Sequence, residues 1–267
     1  MDTVVPFAAV WVGWSALAGL AMWLKAGVLR KLVVVSMLVT ACSLVFWLWE
    51  YSAWLRGIAV IPVLLLLGKS WMVGVRQISW FKDKPTPGEF ILWCVVLPEG
   101  QFVADAAARQ TLRRKAWFEA ARGFAKLSVC LGLFAINEHA EVYTSRPLQL
   151  IWTAIVFYLL FSSIRDFLGA GWGVMGVEIS PMFEAPLIAR NPRDFWGLRW
   201  NLWFTQTAHR LVFVPVRERT SAVWASTAVF GLSALMHEAI VMAGLAAFDG
   251  RMLIFFAVQG FGATVYT

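Results

Sequence analysis

The stretch "GLSALMHEAIVMAG", residues 231–244, places His237 and Glu238 inside an apolar run that extends from residue 222 to residue 247. A helix needs roughly 20 apolar residues to cross a bilayer, so this run predicts a membrane-spanning helix. Ionisable side chains are costly near the middle of a bilayer. We therefore treat His237 and Glu238 as candidates for function.

The whole chain has the composition of a membrane protein. Of its 267 residues, 60% are hydrophobic and 15% are charged, with a mean hydropathy of +0.69. Soluble domains carry about 25% charged residues, and a soluble core could not bury this much apolar surface. We predict an all-α fold, a polytopic transmembrane helical bundle that forms a single domain over residues 1–267. The seven predicted spans are residues 6–24, 32–49, 54–75, 124–137, 149–168, 222–247 and 252–267.

The net charge of +7 comes from 23 basic and 16 acidic residues. Most basic residues lie in segments between alternate apolar runs, which is the pattern of cytoplasmic loops in membrane proteins. This pattern favours membrane anchoring and argues against a nucleic-acid partner. We predict a multi-pass integral membrane protein, in the endoplasmic reticulum of a eukaryote or the inner membrane of a bacterium.

Two segments do not fit simple spans. Residues 89–98, "EFILWCVVLP", are too few to cross a bilayer, which predicts a re-entrant or interfacial segment. Residues 105–123 are predicted to form a basic amphipathic helix on the cytoplasmic membrane surface. A solvated loop helix is an equal alternative for this second segment.

The cysteines and histidines lack the spacing of metal ligands. The three cysteines lie far apart in apolar runs, which predicts small buried side chains rather than a disulfide or a zinc site. His209 and His237, even together with Glu238, show neither HxxxH nor HxxE spacing, so we expect no metal site. The cysteines are Cys42, Cys94 and Cys130.

Residues 190–216, "RNPRDFWGLRWNLWFTQTAHRLVFVPV", mix aromatic and polar side chains densely. If residues 194–211 form one helix, Trp196, Trp200 and Trp203 share a face that suits packing or a membrane interface. A second face is small and polar, and it offers Asn201 as both donor and acceptor to a substrate. The residues of this second face are Asp194, Gly197, Asn201, Thr205 and Ala208.

The arginines of the same segment have two possible roles. Arg193, Arg199 and Arg210 can extend their charged ends from the membrane to water. They can equally bind an anion, such as the phosphates of a coenzyme. Both alternatives remain open from the sequence.

His237 has the chemistry of a general base. Imidazole titrates near neutral pH, and Ser233 lies four residues earlier on the same helix face. Glu238 is rotated by about 100°, so we expect it to bond a neighbouring helix or to line the same cavity. A non-enzymatic transporter with a His–Glu proton relay is the alternative from another class.

The two motif regions resemble the wax synthase branch of the membrane-bound O-acyltransferase superfamily. The resemblance is carried by "SPMFEAPLIARNPRDFWGLRWN" (180–201), "RLVFVPV" (210–216) and "TAVFGLSALMHEAI" (227–240). It therefore lies within about residues 180–245. Leu198 departs from the pattern, because the family commonly has arginine there.

This resemblance implies the fold of that superfamily and transfer of an acyl group from acyl-CoA to the hydroxyl of a lipophilic alcohol. It implies that His237 is the catalytic histidine and Asn201 the accompanying polar residue. The expected partners are acyl-CoA, the alcohol and membrane lipid, without a further cofactor. A sterol, a terpene alcohol, a diacylglycerol or a secondary metabolite is an alternative acceptor. The expected substrate-binding residues are Asp194, Trp196, Arg199, Trp200, Ser233 and Glu238.

Overall fold

The computed structural model describes residues 4–25, 27–48, 52–75, 86–95, 100–103, 105–140 and 145–265. These residues are mostly helical, which confirms the all-α prediction, and the described part of each of the seven apolar runs lies in a helix except for one or two residues at the end of a run. Strands β1 (Gly100–Phe102) and β2 (Val177–Ile179) form a short antiparallel pair. The helices are α1 (Val4–Trp23), α2 (Val28–Leu48), α3 (Ala53–Val75), α4 (Pro87–Val95), α5 (Ala106–Ala140), α6 (Arg146–Val174), α7 (Pro192–Asp194), α8 (Leu202–Ala208), α9 (Val214–Arg219), α10 (Ala222–Leu245) and α11 (Arg251–Val265).

Two helices, α6 and α10, are long and apolar enough to cross a membrane. Only 11% of the apolar part of α6 and 17% of that of α10 is buried, whereas the core helix of a soluble protein would be mostly buried. Shorter apolar helical stretches cover Ala8–Trp23, Val60–Val75 and Arg251–Val265. The membrane character is therefore supported, while the number of seven spans stays a prediction.

The prediction of two separate segments at 105–123 and 124–137 is wrong. Residues 106–140 form the single helix α5, which has 35 residues and no proline to interrupt it. Gly123 lies at its buried face, where an added Cβ would be 3.2 Å from the Cβ of Asp166. The glycine therefore serves close packing against α6 and does not break the helix. The segment predicted at 89–98 forms α4 over Pro87–Val95, and its remaining residues lie outside the described ranges.

The chain divides into two compact units. The first unit consists of residues 1–97, 189–197 and 204–267, and the second of residues 98–188 and 198–203. In the first unit α2 packs against α1 and α3, and α10 packs against α3 and α11. In the second unit α5 and α6 pack along each other beside the β1–β2 pair.

Cationic side chains bond the C-terminal ends of several helices in the first unit. Arg56 of α3 donates from Nε to the carbonyl of Ala243 at 2.9 Å and from Nη2 to that of Gly244 at 3.1 Å, in the last turn of α10. The last carbonyls of a helix lack intrahelical donors and carry partial negative charge, so cations stabilise them. The other contacts of this kind join Arg30 to the carbonyls of Ala21 and Val73, and Lys69 to that of Trp93.

The second unit is held by ion pairs between α5 and α6. Asp166 is fully buried and accepts from Arg122 Nε at 2.9 Å and from Lys126 Nζ at 2.7 Å. Arg165 pairs with Glu119 at 2.7 Å. The hydrogen bond with Asp166 holds the pKa of the Arg122 guanidinium above its usual value, so this side chain stays cationic.

The cysteine prediction is correct for two residues of three. Cys94 and Cys130 are buried, whereas Cys42 is exposed on α2. The prediction fails at Cys42 because α2 leaves one face uncovered, and an apolar run in a membrane protein can direct small side chains towards lipid as well as towards protein.

Candidate active site

The predicted continuous helix over residues 194–211 is wrong. One turn of α-helix, α7, leads into a π-helical turn at Phe195–Arg199, and α8 leads into a second π-helical turn at His209–Phe213. Between the first π-helical turn and α8, Asn201 adopts a left-handed backbone with φ of +45°, which asparagine tolerates better than most residues. A periodicity of 100° per residue therefore does not hold here, and the predicted tryptophan and polar faces do not form.

Trp196 belongs to an aromatic cluster in the first unit. Its Nε1 donates to Gln259 Oε1 of α11 at 3.0 Å. Its ring centroid lies 5.8 Å from that of Phe256, also in α11. The motif tryptophan therefore anchors the turn after α7 to α11. Further rings of the cluster are Phe195, Phe230 and Phe255.

Trp200 and Trp203 have different surroundings, in the second unit. The ring of Trp200 lies 4.8 Å from that of Phe183, and Trp203 Nε1 donates to the Ser180 carbonyl at 2.8 Å. Both contacts hold the loop that follows β2. Each of the three tryptophans predicted to share a face thus packs against different residues.

The polar motif residues make local bonds that shape the chain. In the first unit, Asn191 Oδ1 accepts from the Asp194 N–H at 2.8 Å, and Asp194 Oδ2 accepts from the Arg190 N–H at 3.0 Å. This pair closes the turn that starts α7. In the second unit, Arg199 Nη1 donates to the carbonyls of Glu184 and Ala185 at 3.3 Å each. The expected contacts of Asp194, Arg199 and Trp200 with a substrate stay predictions.

His237 is partly buried in α10, about 12 Å along the axis from the last residue of that helix. Its Nδ1 lies 2.8 Å from the Ser233 carbonyl. A carbonyl can only accept, so Nδ1 carries the proton and Nε2 carries the lone pair of the neutral imidazole. No described residue hydrogen-bonds Nε2. Ser233 itself is buried, and it therefore orients the histidine through its backbone carbonyl.

An aromatic contact joins His237 to the motif tryptophan. The ring of Phe256 lies 4.7 Å from the imidazole and also packs against Trp196. The structure therefore brings His237, Ser233 and Trp196 into one neighbourhood of the first unit. Asn201 belongs to the second unit. Sequence reasoning missed Phe256, which resembles any other aromatic residue of an apolar run, and Gln259, whose polar side chain within such a run was a usable signal.

Glu238 is 4% exposed and bonds to the backbone that leads into α11. Its Oε1 accepts from the N–H of Asp249 at 2.9 Å and of Gly250 at 2.6 Å. The partners are loop N–H groups just before α11 and not the neighbouring helix that was expected. Oε2 is buried without a hydrogen-bond partner among the described residues. Within the same ranges, no hydrogen bond joins Glu238 to His237, as a direct relay between them would need.

His209, the second histidine in the motif regions, is exposed. The imidazole of His209 stacks on Phe213 at 5.1 Å, within the second π-helical turn. Within the described ranges, no three His, Cys, Asp or Glu side chains group as metal ligands would. The expectation that the protein uses no metal stays a prediction.

Comparison with known proteins supports the resemblance. Residues 179–258, which include both motif regions, match the membrane bound O-acyl transferase family. The resemblance predicted from the sequence is thereby confirmed, and the similar proteins include members of its wax synthase branch.

Three similar proteins illustrate the extent of the match. Acyl-CoA–sterol O-acyltransferase 1 of Arabidopsis thaliana is 32% identical over 136 residues, 47% of this chain and 39% of that protein. Probable long-chain-alcohol O-fatty-acyltransferase 7 of Arabidopsis thaliana is 30% identical over 96 residues, 33% and 28% of the two chains. Long-chain-alcohol O-fatty-acyltransferase of Simmondsia chinensis is 33% identical over 72 residues, which are 24% of this chain and 20% of that protein. The chain therefore spans at most 39% of the length of these relatives.

Proposed function

We propose that this chain carries the catalytic residues of a multi-pass membrane-bound O-acyltransferase, which moves an acyl group from acyl-CoA to the hydroxyl of a lipophilic long-chain alcohol. The observation that carries the proposal is the bond from His237 Nδ1 to the Ser233 carbonyl. This bond fixes the ring and its tautomer, so that Nε2 is the basic atom. The match over residues 179–258 supports the same reaction class.

The proposed reaction is direct acyl transfer with His237 as general base. Nε2 takes the proton of the alcohol hydroxyl while the hydroxyl oxygen attacks the thioester carbonyl. The tetrahedral intermediate then expels the coenzyme A thiolate, which takes the proton back from the imidazolium. The products are the ester and free coenzyme A, and no other cofactor is needed.

We assign Asn201 to the donor or to the developing oxyanion, where its amide N–H₂ would stabilise negative charge. The assignment rests on the position of Asn201 at the end of the motif at residues 180–201, within the family match over residues 179–258. Phe256 forms an apolar wall against His237 and favours a lipophilic acceptor over a water-soluble one.

A sterol is the second candidate acceptor. It is favoured by the similarity to an acyl-CoA–sterol O-acyltransferase over 47% of this chain. A sterol hydroxyl is a secondary alcohol on a rigid ring system, whereas a long-chain alcohol is flexible. The acceptor pocket for the two would differ in shape, although the proton transfer at His237 would be the same.

The test is an acceptor panel. Membranes that contain the protein are incubated with labelled palmitoyl-CoA and either hexadecanol, a sterol or a diacylglycerol, and neutral lipids are separated. We expect labelled wax ester from hexadecanol and none from membranes that carry His237→Ala. Label in the sterol ester alone would move the acceptor to the second candidate. Hydrolysis without any ester product would contradict acyl transfer to an alcohol.

A further inference from the structure

A patch of basic and aromatic side chains on the first half of α5 has no part in the proposed reaction. We name it the α5 patch. All of its members are exposed, and the two aromatic side chains are unusually so, at 76% for Trp117 and 68% for Phe118. The patch consists of Arg109, Arg113, Arg114, Lys115, Trp117 and Phe118.

Arg114, Trp117 and Phe118 face away from the rest of the second unit, whereas Arg113 donates from Nε to the Val174 carbonyl at 3.2 Å and Lys115 pairs with Glu178. The buried residues of this half of α5 fall on one side of the helix and pack against α6. At 100° per residue, Arg114, Trp117 and Phe118 lie within about 50° of the opposite side. The other three cations lie about 90–130° from that side, towards the edges of the buried face. A solvated loop helix gives no reason to expose two large aromatic side chains beside cations. A membrane helix that continues through the headgroup region does, because aromatic side chains favour that level and cations just beyond it are attracted by phosphates. The buried residues are Leu112, Ala116, Glu119 and Gly123.

The contacts between α5 and α6 show where the patch lies relative to the hydrocarbon core of the membrane. α6 carries no charge from residue 147 to residue 164, a stretch of roughly 27 Å that approaches the thickness of a hydrocarbon core. The residues just beyond this stretch, Arg165 and Asp166, bond to Glu119 and Arg122 of α5. Trp117 and Phe118 therefore lie roughly 6–8 Å beyond the edge of the hydrocarbon, at headgroup level.

The charged residues of the patch are all positive. Residues 106–118 contain four cations and no anion. Lys115 has one exposed partner, Glu178 at 3.2 Å, and Asp105 precedes the helix and accepts from the Ala108 N–H. Lys115, Arg114 and Arg113 lie roughly 11–14 Å beyond the edge of the hydrocarbon, just outside the headgroup layer. They are within about one Debye length of the headgroup phosphates, so their charge is complementary to that of anionic lipids.

We propose that the α5 patch binds the headgroups of anionic phospholipids, with Trp117 and Phe118 inserted between them. The proposal rests on the membrane placement contained in the proposed function, and it does not depend on the reaction at His237. The acyl donor also carries phosphates, so the experiment must distinguish lipid from a soluble anion.

The experiment places a reporter on the exposed side of α5. The chain of residues 1–267 with Ala121→Cys and Cys42→Ala is labelled with an environment-sensitive fluorophore, which reacts at residue 121 because Cys94 and Cys130 are buried. It is reconstituted in nanodiscs of phosphatidylcholine with an increasing fraction of phosphatidylglycerol. We expect the emission to move to shorter wavelength as the anionic fraction rises.

Two sets of variants test the assignment. Replacing Arg113, Arg114 and Lys115 by glutamine should weaken the response to phosphatidylglycerol by on the order of 100-fold. Trp117→Ser with Phe118→Ser should abolish the wavelength shift, because the cations alone do not bury the helix. A control with the same change of net charge should respond like the wild type; it carries glutamine at the exposed positions Lys31, Arg217 and Arg219.

Several results would overturn the proposal. An equal shift in nanodiscs with and without phosphatidylglycerol would show that the patch does not select anionic lipid. An emission typical of water in both would show a solvated helix. A shift caused by free coenzyme A in phosphatidylcholine nanodiscs would show a soluble anion as the ligand. None of these readouts requires acyl transfer, so a failure here is distinct from a failure of the proposed reaction.

Discussion

Polar side chains within apolar helices are satisfied in opposite ways in the two units. In α10, His237 and Glu238 bond to backbone groups, a carbonyl in one case and N–H groups in the other. Between α5 and α6, the charged side chains bond mainly to one another around Asp166. The hydrogen-bond partner therefore determines what a polar side chain can do. The bond from His237 to a backbone carbonyl leaves Nε2 available to a reactant. The ion pairs between α5 and α6 use their charges to join the two helices.

The largest expected effect tests the first half of this comparison. His237→Ala should lower the rate of ester formation by roughly 10²–10⁴-fold, because it removes the general base. The unfolding temperature in detergent should change little, since the imidazole bonds one carbonyl of its own helix. His209→Ala is the matched control and should keep wild-type activity, as His209 is exposed and stacks on Phe213. Wild-type turnover of His237→Ala would refute the assignment.

The second prediction concerns the ion pairs. Asp166→Ala leaves Arg122, Lys126 and Arg165 without their shared carboxylate and should destabilise the protein by roughly 3–5 kcal/mol. Denaturant or thermal unfolding in detergent measures this loss. The rate per folded molecule should stay near that of the wild type. If Asp166→Ala unfolds like the wild type but loses turnover, the network belongs to the catalytic machinery and the comparison fails.

Glu238 provides the third test, with an expected effect smaller than that of His237. Glu238→Gln keeps an oxygen that can accept from Asp249 and Gly250, whereas Glu238→Ala leaves both N–H groups without this acceptor. We therefore expect Glu238→Ala to lower both unfolding temperature and turnover, and Glu238→Gln to lower them less. If both variants lose turnover equally at unchanged unfolding temperature, the negative charge itself takes part in the reaction.

The smallest expected effect is at an exposed ion pair. Lys115 and Glu178 are each about half exposed, so water screens their attraction. Lys115→Ala should change the free energy of unfolding by about 0.5 kcal/mol or less. A loss as large as that of Asp166→Ala would show that burial does not separate strong from weak pairs in this unit.

The sequence predicted the helices well because length and apolar composition are local properties. In the described residues each of the seven apolar runs coincides with a helix to within two residues, and α6 and α10 meet the requirements of a span. The boundary between residues 123 and 124 was wrong, because a change from charged to apolar sequence does not end a helix. Arg122 and Lys126 remain helical since Asp166 of α6 receives their charges.

The candidate site was only partly predictable. His237 could be found because an ionisable group in an apolar run is costly. The path of the chain around Asn201 could not, because two π-helical turns and a left-handed residue depend on bonds to distant residues such as Gln259 and Met182. The single-domain assignment over residues 1–267 and the substrate contacts stay predictions.

The left-handed backbone of Asn201 complicates the usual alanine scan. Alanine at this position would remove the amide and would also cost about 1–2 kcal/mol of backbone strain, so lost activity would have two causes. Glycine removes the amide without the strain, and aspartate keeps the preference for this conformation while exchanging the N–H₂ group for an acceptor. Comparing these two replacements would separate what the side chain contributes to turnover from what it contributes to the bend of the chain.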